Sequence, residues 1–154
     1  MSCVRPAVPV LPGPGRPGRT GAVMAGMAVR ESVSLAGRVE RARAARMFVG
    51  EVLGPGHPCG DLAILLVSEV FGNSIRQNGS GALGETVTVA VGEGDGVVRG
   101  EVTDRAGQGT PQLRLADLLC GRRSRASACR CPRGAVRWDW RRRGGRLVTW
   151  FELS

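Results

Sequence analysis

Two short stretches of this chain hold residue types whose spacing could do chemistry. The first is Ser68-Glu69-Val70-Phe71-Gly72-Asn73-Ser74-Ile75-Arg76. Glu69 and Asn73 are four residues apart and Arg76 follows three later, a spacing that puts all three on one side of an α-helix. An amide oxygen is a neutral donor suited to Mg²⁺, and a carboxylate beside it can take a proton from a water or a hydroxyl. Taken alone, the same spacing also describes an ordinary helix with polar residues at the margin of its buried face. The second stretch is Asp104-x-x-Gly107-x-Gly109-x-Pro111. An aspartate closing a strand can accept a hydrogen bond from an exocyclic amine, and the glycines let a ligand come close to the backbone. By itself this stretch is equally a Gly/Pro surface turn.

The elements that must position these residues follow from periodicity. Val39, Ala42, Ala45, Phe48, Val49 and Val52 recur at three- and four-residue spacing, which predicts a helix from about Gly37 to Leu53. Gly54-Pro55-Gly56-His57-Pro58 stops it. A second helix is expected from Asp61, a good N-cap residue, to about Arg76, with Leu62, Leu65, Leu66 and Val70 on its apolar face. Asn78-Gly79-Ser80-Gly81 reads as a loop. Thr86–Val91 and Val97–Thr103 alternate and are β-branched, so they read as strands around a turn at Gly92–Gly96. Leu113–Leu119 reads as a helical turn, and Val136–Trp140 with Leu147–Leu153 as a hairpin turning near Arg143-Gly144-Gly145. Helices followed by strands in this order imply an α+β fold: a two-layer α/β sandwich, its sheet mainly antiparallel with helices on one face. Residues 1–29, rich in Pro, Gly and Arg without a period, are expected to be a disordered tail. Residues 30–154 then form one domain.

Glu-x-x-x-Asn on a helix, then strands, then Asp-x-x-Gly-x-Gly resembles the N box and first glycine box of the GHKL ATPase superfamily, the group of the histidine kinases. Within it the chain looks most like the stand-alone anti-sigma-factor serine/threonine kinases. The likeness runs from about Ser34 to Gln112 and resumes from Ala135 to Leu153. Leu66-Val67-Ser68-Glu69-Val70, Glu101-Val102-Thr103-Asp104-Arg105 and Thr149-Trp150-Phe151-Glu152-Leu153 share its texture. The resemblance implies a Bergerat-type sandwich that binds ATP and Mg²⁺. It implies that Asn73 ligates the metal, that Glu69 is the base polarising a protein Ser hydroxyl, and that Asp104 accepts from the adenine amine. Gly107 and Gly109 would make room for the base, and Arg76 would lie near the phosphates. The implied partner is a regulatory protein, a sigma factor or an anti-sigma antagonist, and the family type allows a homodimer.

The chain departs from the family where a second glycine box, holding the phosphates at a helix N-terminus, should stand. Residues 120–135 form instead an irregular Arg/Cys-rich segment with Pro132 in the middle and no Gly-x-Gly. Three of the five cysteines lie there. The composition is that of a GC-rich gene read out of frame and restored before Trp138. A genuine segment of this kind leaves the phosphate cradle incomplete, and the alternative reading is a catalytically inactive binding module that acts by sequestration.

Composition removes other classes. The 154 residues carry 22 basic side chains, all Arg, against 13 acids, a net charge of +9. Residues 1–119 hold 12 Arg and 11 acids, whereas 120–154 hold 10 Arg against Asp139 and Glu152. The basicity therefore belongs to one segment, which makes a nucleic-acid-binding protein the weaker alternative. A membrane span needs about 20 apolar residues, and Leu62–Val70 is too short. Prolines at 6, 9, 12 and 14 break any apolar signal region. Reduced thiols and a cytoplasmic location are the expectation. Zinc would have to join Cys129 and Cys131 to His57 and Cys59 across unrelated loops, a poor match to structural zinc spacing.

Overall fold

A computed structural model describes residues 28–78, 84–107, 110–111 and 136–154. Five strands, β1 (Ala28–Ala36), β2 (Thr86–Gly94), β3 (Val97–Arg105), β4 (Val136–Arg143) and β5 (Arg146–Leu153), form one sheet in the order β1-β2-β3-β5-β4. Every neighbouring pair is antiparallel. Two helices, α1 (Ala42–Leu53) and α2 (Gly60–Asn78), make the second layer. The fold is thus α+β, a two-layer sandwich. Among the described residues no helix is long and apolar enough to cross a membrane.

Alternation in the strands decides which face the helices cover. In β3, Val98, Val102 and Asp104 are buried on the face shared with Gly100, and β2 presents Val87, Val89 and Val91 on the same side. These valines join Ala45, Val49, Leu53, Leu66, Val70 and Phe71 of the helices in one core. α1 packs over β1 and β2, and α2 packs chiefly over β3. Both hairpins close with two residues of positive φ, Asp95-Gly96 and Gly144-Gly145, as a type I′ turn requires. Their tightness lets the strands run further than alternation alone suggests, to Gly94 in β2 and Arg105 in β3.

Three expectations change. The boundary set at residue 29 for the tail is too late by two residues, because β1 begins at Ala28 and pairs along β2 as far as Ala36↔Thr86. Only Val33 and Leu35 face the core there, too few for a period to stand out. The first helix splits into a 3₁₀ turn at Val39–Arg41 and α1, which leaves Val39 62% exposed instead of on the buried stripe. Asp61 is not the N-cap of α2: the helix starts at Gly60, the carbonyl of Cys59 accepts from the Ala63 N–H, and Asp61 lies in the first turn facing solvent. Its charge still favours that end of the helix dipole. The tail up to residue 27, the loop at 79–81, the helical turn at 113–119 and the segment 120–135 lie outside the described residues.

A close approach sets how the sheet's middle packs. A Cβ on Gly100 would stand 2.3 Å from Phe151 Cζ, its cross-strand partner on the covered face. Gly100→Ala should therefore destabilise the fold by about 1–3 kcal/mol through overpacking. Pairing it with Phe151→Leu should recover part of that loss, as thermal or urea denaturation of the two single variants and the double variant would show. An additive double variant would contradict the contact.

Candidate functional site

Helix geometry and strand register together locate the candidate residues. On α2, Ser68 accepts a 3.1 Å hydrogen bond from Arg46 of α1, and Ile64 Cδ1 lies 3.4 Å from where a Cβ on Gly50 would be. That side of α2 faces α1. At about 100° per residue, Glu69 and Asn73 point about 140° away from it. With α1 over β1 and β2, this flank looks out over β5 and β4.

The long axis of α2 is fixed at its start. His57 Nδ1 accepts the Cys59 N–H at 3.1 Å, which leaves its proton on Nε2 to be donated to Glu93 Oε1, also at 3.1 Å. Glu93 is the Cα partner of Val98, so α2 begins over the end of the sheet where β3 begins. Gly60 to Asn73 climbs about 20 Å along a helix, and Val98 to Asp104 runs about 20 Å along a strand. The chain then returns from Asn78 to Thr86, at the end where β3 finishes. By these rises Asn73 is expected at about the level of Asp104.

Helix periodicity and strand register together imply a bay here, with α2 as its wall. Its floor is three rungs of the covered face: Asp104, Leu147 and Arg142; Val102, Thr149 and Trp140; Gly100, Phe151 and Trp138. Asp104 is 0% exposed, and Asn73, Ser74 and Thr149 are buried too, whereas Glu69 is half-buried and Arg76 exposed. Four of the six buried polar or charged side chains of the described residues thus come from α2 or from the covered face beneath it. Asp104 is thus a buried carboxylate at the end of an otherwise apolar row of β3.

Asn73 is already engaged: Arg76 Nη2 donates to its Oδ1 at 2.8 Å. The guanidinium folds back over Gly72, where an added Cβ would lie 3.1 Å from Nη1. A cation arriving at Asn73 Oδ1 would have to displace this contact. Among the described residues no group of three or more His, Cys, Asp and Glu could hold a metal. One amide oxygen with a carboxylate a turn away fits an ion that arrives on phosphate oxygens and keeps its waters, as Mg²⁺ does.

Gly107 belongs to the loop leaving β3, and two bonds tie that loop to the β4–β5 hairpin. Arg142 Nη1 donates to the Gly107 carbonyl, and the Ala106 N–H donates to the Gly145 carbonyl at 2.9 Å. Arg142 also lies over the Trp140 ring, 5.8 Å from its centroid. Gly109 lies outside the described residues. The structure brings Glu69, Asn73 and Arg76 to one side of α2, and places Asp104, with Gly107 just beyond it, at the end of β3. It adds Thr149, diagonal to Asp104 on the same face, which sequence reasoning passed over. A Thr in a β-strand is unremarkable there, and only the Val102↔Thr149 register reveals it. A second depression of about 430 Å³, lined by Pro55, His57, Asp61 and Ile64, lies at the opposite end of α2 and shares none of these residues. His57 and Cys59 are committed there to the turn and the core, both ring nitrogens being used and Cys59 buried.

By its fold the chain is a two-layer α+β sandwich with an antiparallel sheet. No protein-family model matches the chain, and no curated protein matches it.

Gly72→Ala tests how firmly Arg76 is held. Alanine favours a helix over glycine by about 0.5–1 kcal/mol, and only the mobile end of Arg76 stands in its way. The variant should gain stability by that amount in thermal denaturation, alone and in an Arg76→Ala background alike. A loss confined to the chain with Arg76 intact would show that the Arg76–Asn73 contact outweighs helix propensity.

Proposed function

We propose that this chain binds ATP with Mg²⁺ in the bay between α2 and the β3-β5-β4 floor, as a member of the GHKL type, and transfers the γ-phosphoryl group to a Ser hydroxyl of a regulatory protein. What supports this reading is that Glu69, Asn73 and Arg76 share one side of α2, while Asp104 and Thr149 lie buried as diagonal neighbours on the covered face of the sheet. These residue types, placed there, are what the sequence resemblance requires.

The roles follow from the chemistry of each group. Asp104 accepts from the exocyclic amine of adenine, with the Thr149 hydroxyl diagonal to it on the same face of the sheet. The backbone at Gly107 leaves room for the base. Asn73 Oδ1 would be the side-chain ligand for the Mg²⁺ that accompanies the phosphates, and the Arg76 guanidinium beside it would meet phosphate charge. Mg²⁺, when bound, draws charge from the phosphate oxygens. Glu69 takes the proton of the attacking Ser hydroxyl as the O–P bond forms, the bond to the bridging oxygen breaks, and ADP leaves. Such transfer needs mostly positioning and charge neutralisation.

The rival reading, a binding module without turnover, draws on the sequence of residues 120–135, which contains no second glycine box. Radiolabelled phosphate transfer to a candidate partner separates the two. Active protein should lose transfer by about 10²–10⁴-fold in Glu69→Ala with nucleotide binding kept, and should lose Mg²⁺-dependent binding in Asn73→Ala. Asp104→Ala should weaken ATP by about 10–150-fold, the worth of one hydrogen bond to a charged group. Nucleotide binding without transfer would favour the sequestration reading; unchanged binding in all three variants would remove the bay from the account.

A further inference from the structure

The face of the sheet turned away from the helices ends in an unusual rung. Arg105 of β3, Arg146 of β5 and Arg143 of β4 are direct cross-strand neighbours in the last register position before the β4–β5 turn. All three are exposed. Like charges placed directly opposite destabilise a sheet, so three in a row is a costly choice for the fold alone. Inward from this rung Arg99 and Arg141 meet carboxylates, while Arg137 is exposed at the far end of β4 beside Glu152. Arg99 is buried between Glu101 at 3.0 Å and Glu152 at 2.8 Å, with its guanidinium 4.2 Å from the Trp150 ring centroid. Arg141 lies 3.8 Å from Glu101. In the terminal rung Arg105 meets Glu85 at 3.1 Å, in a pair whose arginine is 64% exposed. Arg143 and Arg146 make no ion pair among the described residues.

We propose that this rung is a docking surface for an acidic segment of a partner protein, an extended stretch offering two or three carboxylates. Guanidinium forks suit carboxylates, and three adjacent strands space them over about 10 Å. The neighbouring positions favour a peptide over a nucleic acid. The next rung carries Thr103, buried Val148 and Arg141, and the one after it sets half-buried Trp150, against which an apolar side chain can lie, between Glu101 and Asp139, which repel a continuing phosphate backbone. Exposed pairs of this kind are individually weak and screened by salt, so docking is reversible and salt-sensitive. The inference rests on the far face alone and needs no nucleotide, so it stands or falls separately from the bay.

The test uses the full chain, a fluorescent hexaglutamate peptide and fluorescence anisotropy at low and at physiological salt. The Arg143→Glu/Arg146→Glu variant should weaken peptide binding by at least about tenfold. Arg41→Glu/Arg43→Glu, an equal change of charge on the helical side, should leave it within about twofold. A single-stranded oligonucleotide of equal charge should compete poorly. Arg146→Ser should lose affinity while raising the melting temperature, because it relieves repulsion at no loss of packing. Equal weakening in both charge-reversal variants, tighter binding by the oligonucleotide, or absence of peptide binding would each overturn the proposal.

Discussion

A carboxylate held out of water at the end of an otherwise apolar row is the constraint around which this molecule is arranged. Val98, Gly100 and Val102 of β3 turn toward the helices, and the alternation of the strand commits Asp104 to the same side. A buried carboxylate is harder to accommodate than the apolar side chains before it in the strand. A fold that needed only a core would place a valine there. Asn73 and Thr149, buried nearby, extend the same polar island from a helix and a neighbouring strand.

The geometry of that island depends on contacts far from it. His57 bridges the turn before α2 to Glu93 and sets where the helix starts. The seam with α1 sets its rotation, through Arg46 with Ser68 and Gly50 with Ile64. The approach of Phe151 to Gly100 lets β5 and β3 share a dense core directly beneath. The sheet's two faces then do different work. The covered face holds the bay. The open face sequesters Arg99 among two carboxylates and an indole ring, and aligns three exposed arginines across its last rung.

Much of this was legible in the residues themselves. Alternation and β-branching gave β2 and β3, Gly144-Gly145 gave the second hairpin, and three- and four-residue spacing gave both helices. The helix-sharing of Glu69, Asn73 and Arg76 needed nothing beyond their numbers. Other features were hidden for physical reasons. β1 shows only Val33 and Leu35 to the core, so its pattern is too brief to stand out from the Pro/Gly-rich stretch before it. Val39 fits the helical period by spacing, yet the chain enters through a 3₁₀ turn that rotates it into solvent. Thr149 and the row of Arg105, Arg146 and Arg143 are products of strand register, which no local pattern encodes. The bond from Arg76 to Asn73 is a rotamer choice made on the folded helix.

The most direct measurement of the central claim is binding of a non-hydrolysable ATP analogue to the full chain, with and without Mg²⁺, followed by NMR of the Asn73 side-chain amide and the Ala106 and Gly107 backbone amides. Saturable binding that tightens with Mg²⁺ and shifts all three sets of signals together is the result expected of a nucleotide spanning wall and floor. Binding that ignores Mg²⁺, or that leaves those signals in place, would contradict it.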